Sequence, residues 1–434
     1  MLDILRIEAL KAVELIKESE FIHIYTHYDA DGISAAAVLA SALHRLDKPF
    51  QVTFLKGLNQ GVDCDADLII LADMGSGYPD IVSEIDANVV IVDHHFPTGR
   101  IEPKRSLVHV NPHLAGLDGT FELSASGTAY VVASCLGDNA DLSAIALLGI
   151  LGDKQKIVAG NAKVMRDGVE SGHIEIVKGL NMYSGKVREV LMLSTEPFLD
   201  FYGKEGELDE FLRRVGIDGD AEIDELSGDE LRRLSNAIIL RLLKQGAYDG
   251  VIEEIVGERF VLKKELISNA VMFTDVINAC GRASACSIGF AICMHDENYL
   301  QKGVDIWREF QIELLEELQK RREEVQEGKC IRYLLMDNAA TTAPIATIIS
   351  RYLLSDRPFV AVNVKNSTAK VSARSNPRIN VDLGEVMRIA AERVGGRGGG
   401  HRVAAGANIP PDKAEEFVKE VDELCCAMLG SGSE

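Results

Sequence analysis

The run Val89-Val90-Ile91-Val92 is uncharged and wholly β-branched, and it stops abruptly at Asp93-His94-His95. A strand with apolar side chains on both faces must be covered on both, which confines it to the interior of a parallel sheet. Two further stretches share the design. Residues 21–25 run into Thr26-His27-Tyr28-Asp29-Ala30-Asp31-Gly32, and residues 68–71 run into Asp73. Ligands in open α/β sheets sit at the carboxyl ends of the strands. Three buried strands therefore deliver aspartate and histidine to one sheet edge, which is how a metal site is assembled.

From residue 21 to about 153 apolar strands alternate with helical patterns at 33–46, 78–85, 127–136 and 142–151, with further strands near 51–55 and 107–110. Such alternation predicts an α/β domain over residues 1–160, a parallel sheet with flanking helices. Residues 161–300 carry charged helical patches at 208–215 and 230–245 without clustered chemistry, and read as a helical insert. A long charged helix with Ile306, Phe310, Leu314, Leu315 and Leu318 at helical spacing predicts a connector over 301–328. Residues 329–434 form a second, smaller α/β unit: strands at 331–336, 359–364 and 369–373, helices at 343–353 and 383–394, a glycine cluster, and a closing helix after Pro410-Pro411.

With 434 residues, 47% of them apolar, the chain has ample material for more than one core. Its net charge of −21 excludes a protein that simply coats nucleic acid, because phosphate neutralisation needs lysine and arginine. The segment 351–402 collects Arg351, Arg357, Lys365, Lys370, Arg374, Arg378, Arg388, Arg393, Arg397 and Arg402, so a positive surface is local. The eight cysteines show no Cys-x-x-Cys spacing, which points away from a zinc ribbon or a disulfide framework and toward a reducing, cytoplasmic setting. The N-terminal amphipathic pattern is too charged for a signal peptide, and the apolar run 144–152 is too short to cross a bilayer.

His27, Asp29 and Asp31 alternate along an extended loop and can point into one pocket. With Asp73, Asp93, His94, His95 and Asp153 they supply mostly hard oxygen donors and a little imidazole. That mixture suits Mn2+ or Mg2+ better than zinc. Two such ions about 3.5–4 Å apart, bridged by a shared carboxylate, clamp a phosphate oxygen and acidify water. Uncompensated carboxylates so close together would repel one another, and cations explain why they are tolerated. The glycines Gly398, Gly399 and Gly400 let backbone N–H groups approach an anion, with Arg397, His401 and Arg402 beside them. Ser372, Arg374 and Ser375 at a strand end add phosphate donors.

The order His-x-Asp-x-Asp-Gly (27–32), Asp73, Asp93-His94-His95 and Gly152-Asp153 resembles the DHH phosphoesterase superfamily, and residues 395–401 with Ala404-Ala405-Gly406 resemble the glycine-rich signature of its DHHA1 domain. Ile277-Asn278-Ala279-Cys280-Gly281-Arg282 resembles a motif of RecJ-type nucleases. The resemblance implies a two-Mn2+ site, with His27, Asp29 and Asp73 on one ion and Asp31, Asp73, His94 and Asp153 on the other. It further implies that His95 faces the substrate phosphate, that Asp93 orients the imidazoles, and that Asn278 and Arg282 serve substrate and catalysis. His27 departs from bacterial RecJ, where aspartate is usual, and looks more like archaeal and phosphatase-like members. The implied activity is a single-strand exonuclease of the archaeal RecJ-like branch, with hydrolysis of short oligonucleotides or cyclic dinucleotides as the alternative enzyme. A replisome scaffold like Cdc45 is the alternative from another class. Implied partners are single-stranded nucleic acid and either the GINS complex or a repair helicase.

Overall fold

The computed structural model describes residues 2–364 and 368–430, which leaves Lys365 of the basic segment outside the described residues. The chain divides into two compact units, Met1–Val177 with Glu258–Trp307, and Lys178–Gly257 with Arg308–Glu434. The expected 161–300 segment is therefore shared between them.

In the first unit β1 (Ile22–His27), β2 (Phe50–Leu55), β3 (Leu68–Ala72), β4 (Asn88–Val92) and β5 (Leu107–Val110) form one sheet in the order β2-β1-β3-β4-β5. All four pairings are parallel. The uncharged strands lie where their composition requires, and every residue of β3 is buried. Helices α1 (Leu2–Glu18), α2 (Ala30–Arg45), α3 (Pro79–Glu84) and α4 (Ala125–Leu136) cover this sheet, and α5 (Ser143–Gly152) packs on α2 and α4. Tyr25, Ile69, Leu71, Val89 and Ile91 alternate onto one face and pack with Val82 of α3. Truncating a fully buried isoleucine such as Ile91 to alanine would cost about 2–5 kcal/mol.

Helix α2 is buried almost throughout and packs on α4 and α5, and all three carry buried alanines (Ala35, Ala36, Ala37 and Ala40; Ala129 and Ala133; Ala144 and Ala146). Small side chains let the three helices approach closely without voids. Helices α6 (Ala159–Glu170), α7 (Ala270–Arg282) and α8 (Cys286–Cys293) complete the unit. Helix α7 packs on α2 and α5, which brings the motif at 277–282 to the loop ahead of α2. Ala30 N donates to Asn278 Oδ1 at 3.0 Å, and a Cβ on Gly281 would stand 1.9 Å from Tyr28 O.

The second unit is built on β6 (Gln326–Glu327), β7 (Arg332–Met336), β8 (Phe359–Asn363), β9 (Ala369–Arg374), β10 (Arg397–His401) and β11 (Ala404–Ile409), in the order β10-β11-β9-β8-β7-β6. Only β7 and β8 run parallel. Helices α9 (Ala339–Ile348), α10 (Leu383–Arg393) and α11 (Ala414–Gly430) accompany the sheet, and Val386, Met387, Phe417 and Val421 pack with Val360 and Val371.

Two corrections to the sequence reading belong to this unit. The glycine cluster, to which the sequence assigned no regular element, is the edge strand β10, and β11 follows it. Its glycines answer to packing, since a Cβ on Gly398 would stand 2.4 Å from Met387 O, and one on Gly384 of α10 2.3 Å from Gly400 O. The second correction concerns the cysteines. Cys330 and Cys426, 96 residues apart, form a disulfide between the start of β7 and α11. Local spacing cannot announce a pair that only tertiary packing brings together.

The helices Val187–Met192, Glu205–Val215 and Gly228–Gln245 belong to this second unit. Tyr248 N donates to Arg351 O at 2.7 Å, and Ser355 Oγ to Gly246 O at 2.9 Å. Much of the basic segment is neutralised on the spot. Arg351 pairs with Glu254, Arg357 with Glu327, Arg378 with Asp249 and Arg393 with Glu420. Among the described residues no helix is long and apolar enough to cross a membrane.

Candidate metal centre

The strand order reverses direction between β1 and β3, and ligands of doubly wound sheets sit at the carboxyl ends beside such a reversal. β1 ends at His27, while Asp73 and Asp93 follow β3 and β4 directly. Asp29 caps α2 by accepting from Gly32 N at 3.1 Å, which places Asp31 in the first helical turn. Asp31 is 1% exposed and accepts from Ala125 N at 2.7 Å and Ser126 N at 2.9 Å. The opening turn of α4 thus holds its negative charge, as helix N-termini do. Asp73 adopts a left-handed backbone with φ of 56°, the kind of strain that concentrates at functional sites.

The Asp-His-His triplet divides the labour. Asp93 is fully buried; its Oδ2 accepts from Ser76 N at 2.9 Å, and its Oδ1 from His94 N at 2.7 Å, His95 N at 3.1 Å and His95 Nδ1 at 2.8 Å. Such a carboxylate organises the loop. His94 Nδ1 lies 2.7 Å from Gly119 O. A carbonyl can only accept, so Nδ1 carries a proton and Nε2 is the nitrogen turned to the site. That Nε2 stands 3.3 Å from Asp153 Oδ2, 3.4 Å from Asp73 Oδ1 and 3.9 Å from Asp31 Oδ2. His27 Nδ1 lies 2.8 Å from Asp29 Oδ2 and 3.6 Å from Asp73 Oδ2. His95 is the exposed member, its side chain 57% accessible.

Charge in this pocket is held under tension. Burial pushes the Asp31 carboxyl up, and the neighbouring Asp73 adds to the rise. Burial, then Asp31, does the same to Asp153. Burial opposes a proton on His27, but Asp29 and Asp73 outweigh it and carry its pKa up to about 11. His94 is likewise raised against burial by Asp73, Asp31 and Asp153. Asp73 stays ionised below the usual carboxylate range despite burial, because His27 and His94 face it. Carboxylates with so little solvent call for cations, and here protons on imidazoles supply them.

The residues fit divalent ions better than protons. Asp73 Oδ1 is buried without a hydrogen-bond partner, and a buried polar atom in that condition calls for a specific explanation. Donor atoms of His27, Asp29 and Asp73 lie within 4.8 Å of one another, as do those of Asp31, His94 and Asp153, and those of Asp73, His94 and His95. Asp73 belongs to two of these groups and His94 to two. The grouping of Cys330, Asp422 and Cys426 is of another kind. There the sulfurs are bonded to each other, and the carboxylate accepts from Lys329 N, Cys330 N and Ile331 N.

Asn278 and Arg282 line a cavity of about 250 Å3 with Tyr28, Asp29 and Asp153. In the second unit Arg374 and Ser375 end β9 beside the turn joining β10 to β11: Arg374 pairs with Ala404, and Ser375 N donates to Val403 O at 2.9 Å. His401 and Arg402 occupy that turn and are exposed, as is Arg397. Ser372 lies opposite Gly406, which also pairs with Gly399. Arg374 is partly buried and donates to Ala373 O at 2.9 Å, whereas Ser375 Oγ is buried without a hydrogen bond among the described residues.

Sequence reasoning left the supports of the metal centre unassigned. Gly119 supplies the carbonyl for His94, and a Cβ there would stand 1.9 Å from His94 O. Gln155 Nε2 donates to the same carbonyl at 2.7 Å, and Gln155 Oε1 accepts from Asn161 Nδ2 at 2.9 Å. Asn111 Nδ2 donates to His95 O at 2.9 Å. Gln155 adjoins Asp153 and was legible as a neighbour; nothing in local spacing marks Gly119.

The DHH family, N-terminal domain, matches residues 21–152, and the DHHA1 domain matches residues 328–426. An uncharacterised protein of Methanocaldococcus jannaschii is 30% identical over 97% of this chain and 98% of its own. The single-stranded-DNA-specific exonuclease RecJ of Thermus thermophilus is 25% identical over 275 residues, which span 56% of this chain and 40% of RecJ. A crystal structure of that RecJ with Mn2+ superposes with a TM-score of 0.62 at 18% identity, covering 98% of this chain and 55% of the other. CDC45 from Entamoeba histolytica superposes with a TM-score of 0.60 at 12% identity, covering 98% and 97%. With both domains matched in order and a full-length relative at this identity, the chain belongs to the DHH family, in its DHHA1-bearing, RecJ-related form.

Proposed function

We propose that this phosphoesterase is a divalent-cation-dependent exonuclease acting on single-stranded nucleic acid, with Mn2+ or Mg2+ as the ion. The observation that carries the reading is the intact donor set around Asp73, whose buried Oδ1 takes no hydrogen bond of good geometry among the described residues and faces the imidazole of His94 at 3.4 Å. Two divalent cations held there would supply Lewis-acid polarisation of a phosphoryl oxygen. His27, Asp29 and Asp73 would hold one, and Asp31, Asp73, His94 and Asp153 the other. Gly119 fixes the tautomer of His94, and the opening turn of α4 fixes Asp31, so the donors are set before a ligand arrives. His95 keeps its proton more firmly than a free imidazole, because Asp93 outweighs its burial. Asp93 engages Nδ1, which leaves Nε2 to donate to a phosphate oxygen. Arg282 and Asn278 border Asp29 and Asp153, where a flanking phosphate would lie. In the second unit Arg374, Ser375, His401 and Arg402 would grip phosphates of the remaining strand.

A scaffold of the Cdc45 kind shares this fold, and contact with GINS or a repair helicase through the helical segment 178–257 is compatible with catalysis. The complete donor set favours an enzyme. Asp29→Ala combined with Asp73→Ala should abolish Mn2+-dependent cleavage of end-labelled DNA and RNA oligonucleotides; retained cleavage would overturn the assignment. A length series from dinucleotide upward separates an exonuclease from a hydrolase of short or cyclic dinucleotides.

A further inference from the structure

Immediately after the histidine pair stands Phe96, whose side chain is 71% exposed. A single exposed aromatic is ordinarily uninformative, but this one is held in position on both sides. The carbonyl of His95 accepts from Asn111 Nδ2 at 2.9 Å, and Thr98 N donates to Ser76 O at 3.1 Å. Asn111 Nδ2 also donates to Ser76 Oγ at 2.9 Å, so one network fixes both flanks of Phe96. The ring meets the edge of His113, with centroids 5.3 Å apart and planes at 70°. His113 in turn lies against Gly119, the residue that orients His94. The phenyl face is thus solvated, pre-set, and tied through two contacts to the donor set.

We infer that Phe96 is the stacking platform for a nucleobase next to the cleaved phosphodiester, so that the metal centre recognises a base as well as a phosphate. The inference rests on the nucleic-acid reading above and deepens it. An aromatic face accepts any base, which suits a nuclease without sequence preference, and rigid placement spares the ordering cost that a mobile ring would incur on binding.

The test is kcat/KM on labelled single strands carrying one abasic residue on either side of the cleaved bond. In the wild-type protein one of the two abasic positions should lower the rate by roughly five- to 150-fold, the range for loss of one base–aromatic stack. Phe96→Ala should lose a similar factor on the intact strand and show no further loss on the abasic one, and Phe96→Trp should restore both the rate and the abasic penalty. A full abasic penalty persisting in Phe96→Ala, or wild-type rates on the intact strand, overturns the stacking role while leaving the nuclease standing. A wild-type protein inert on every oligonucleotide overturns both.

Discussion

Gly149 offers a perturbation that reaches the candidate metal centre without replacing a donor. It lies on α5, and a Cβ added there would stand 2.1 Å from Asp31 Oδ1, 2.2 Å from Ser126 Oγ and 2.7 Å from Ser126 Cβ. Ordinary contact begins near 3.4 Å, so the carboxylate must retreat by about 1.3 Å or α5 must move. Retreat is obstructed, because both oxygens of Asp31 accept backbone N–H groups of α4. Gly149→Ala gains about 1 kcal/mol of helix propensity. Overpacking costs about 1–3 kcal/mol, so net stability should fall by no more than about 2 kcal/mol. The effect on cation binding is larger. Displacing a ligand's support typically weakens metal affinity by roughly 10–100-fold. Calorimetric Mn2+ titration beside chemical denaturation separates the two quantities. Gly206→Ala, on the helix Glu205–Val215 with nothing within 4 Å of the added Cβ, is the control that should leave Mn2+ affinity unchanged. If Gly149→Ala binds Mn2+ with wild-type affinity, Asp31 is not the constrained donor described here.

Cation binding should release protons near pH 7. His27, with a pKa near 11, and the raised His94 are protonated in the cation-free protein, and ligation requires the lone pair that the proton occupies. Affinity should therefore rise with pH, and apparent enthalpies should differ between buffers of unlike ionisation enthalpy; identical enthalpies would refute the charge state assigned to the pocket. The Cys330–Cys426 bridge predicts that a reductant, or Cys426→Ser, lowers unfolding free energy by about 2–4 kcal/mol, as read by denaturant melts of the whole chain. A Cys426→Ser protein that still loses stability on reduction would contradict it.

The candidate metal centre was legible in the chain because its residues sit where local patterns end. Uncharged β-branched runs force buried strands, and the first polar residues past each run, His27, Asp73 and Asp93, can only project from one sheet edge. Periodicity of side-chain burial carries that information without any knowledge of neighbours. What the tertiary structure alone decided is how those donors are held. Gly119, Gln155, Ser126 and Gly149 act through contacts with residues 25 to 118 positions away in sequence, and no local pattern reports a carbonyl's direction or a missing Cβ. The glycines of β10 show the same limit. Their permissiveness was visible, but whether it served an anion, a loop or the close passage of α10 depended on which backbone lay above them. Strand identity follows from the solvent preference of consecutive side chains, whereas strand neighbours, the 330–426 disulfide and the exposed face of Phe96 follow from packing between segments that meet only once the chain has folded.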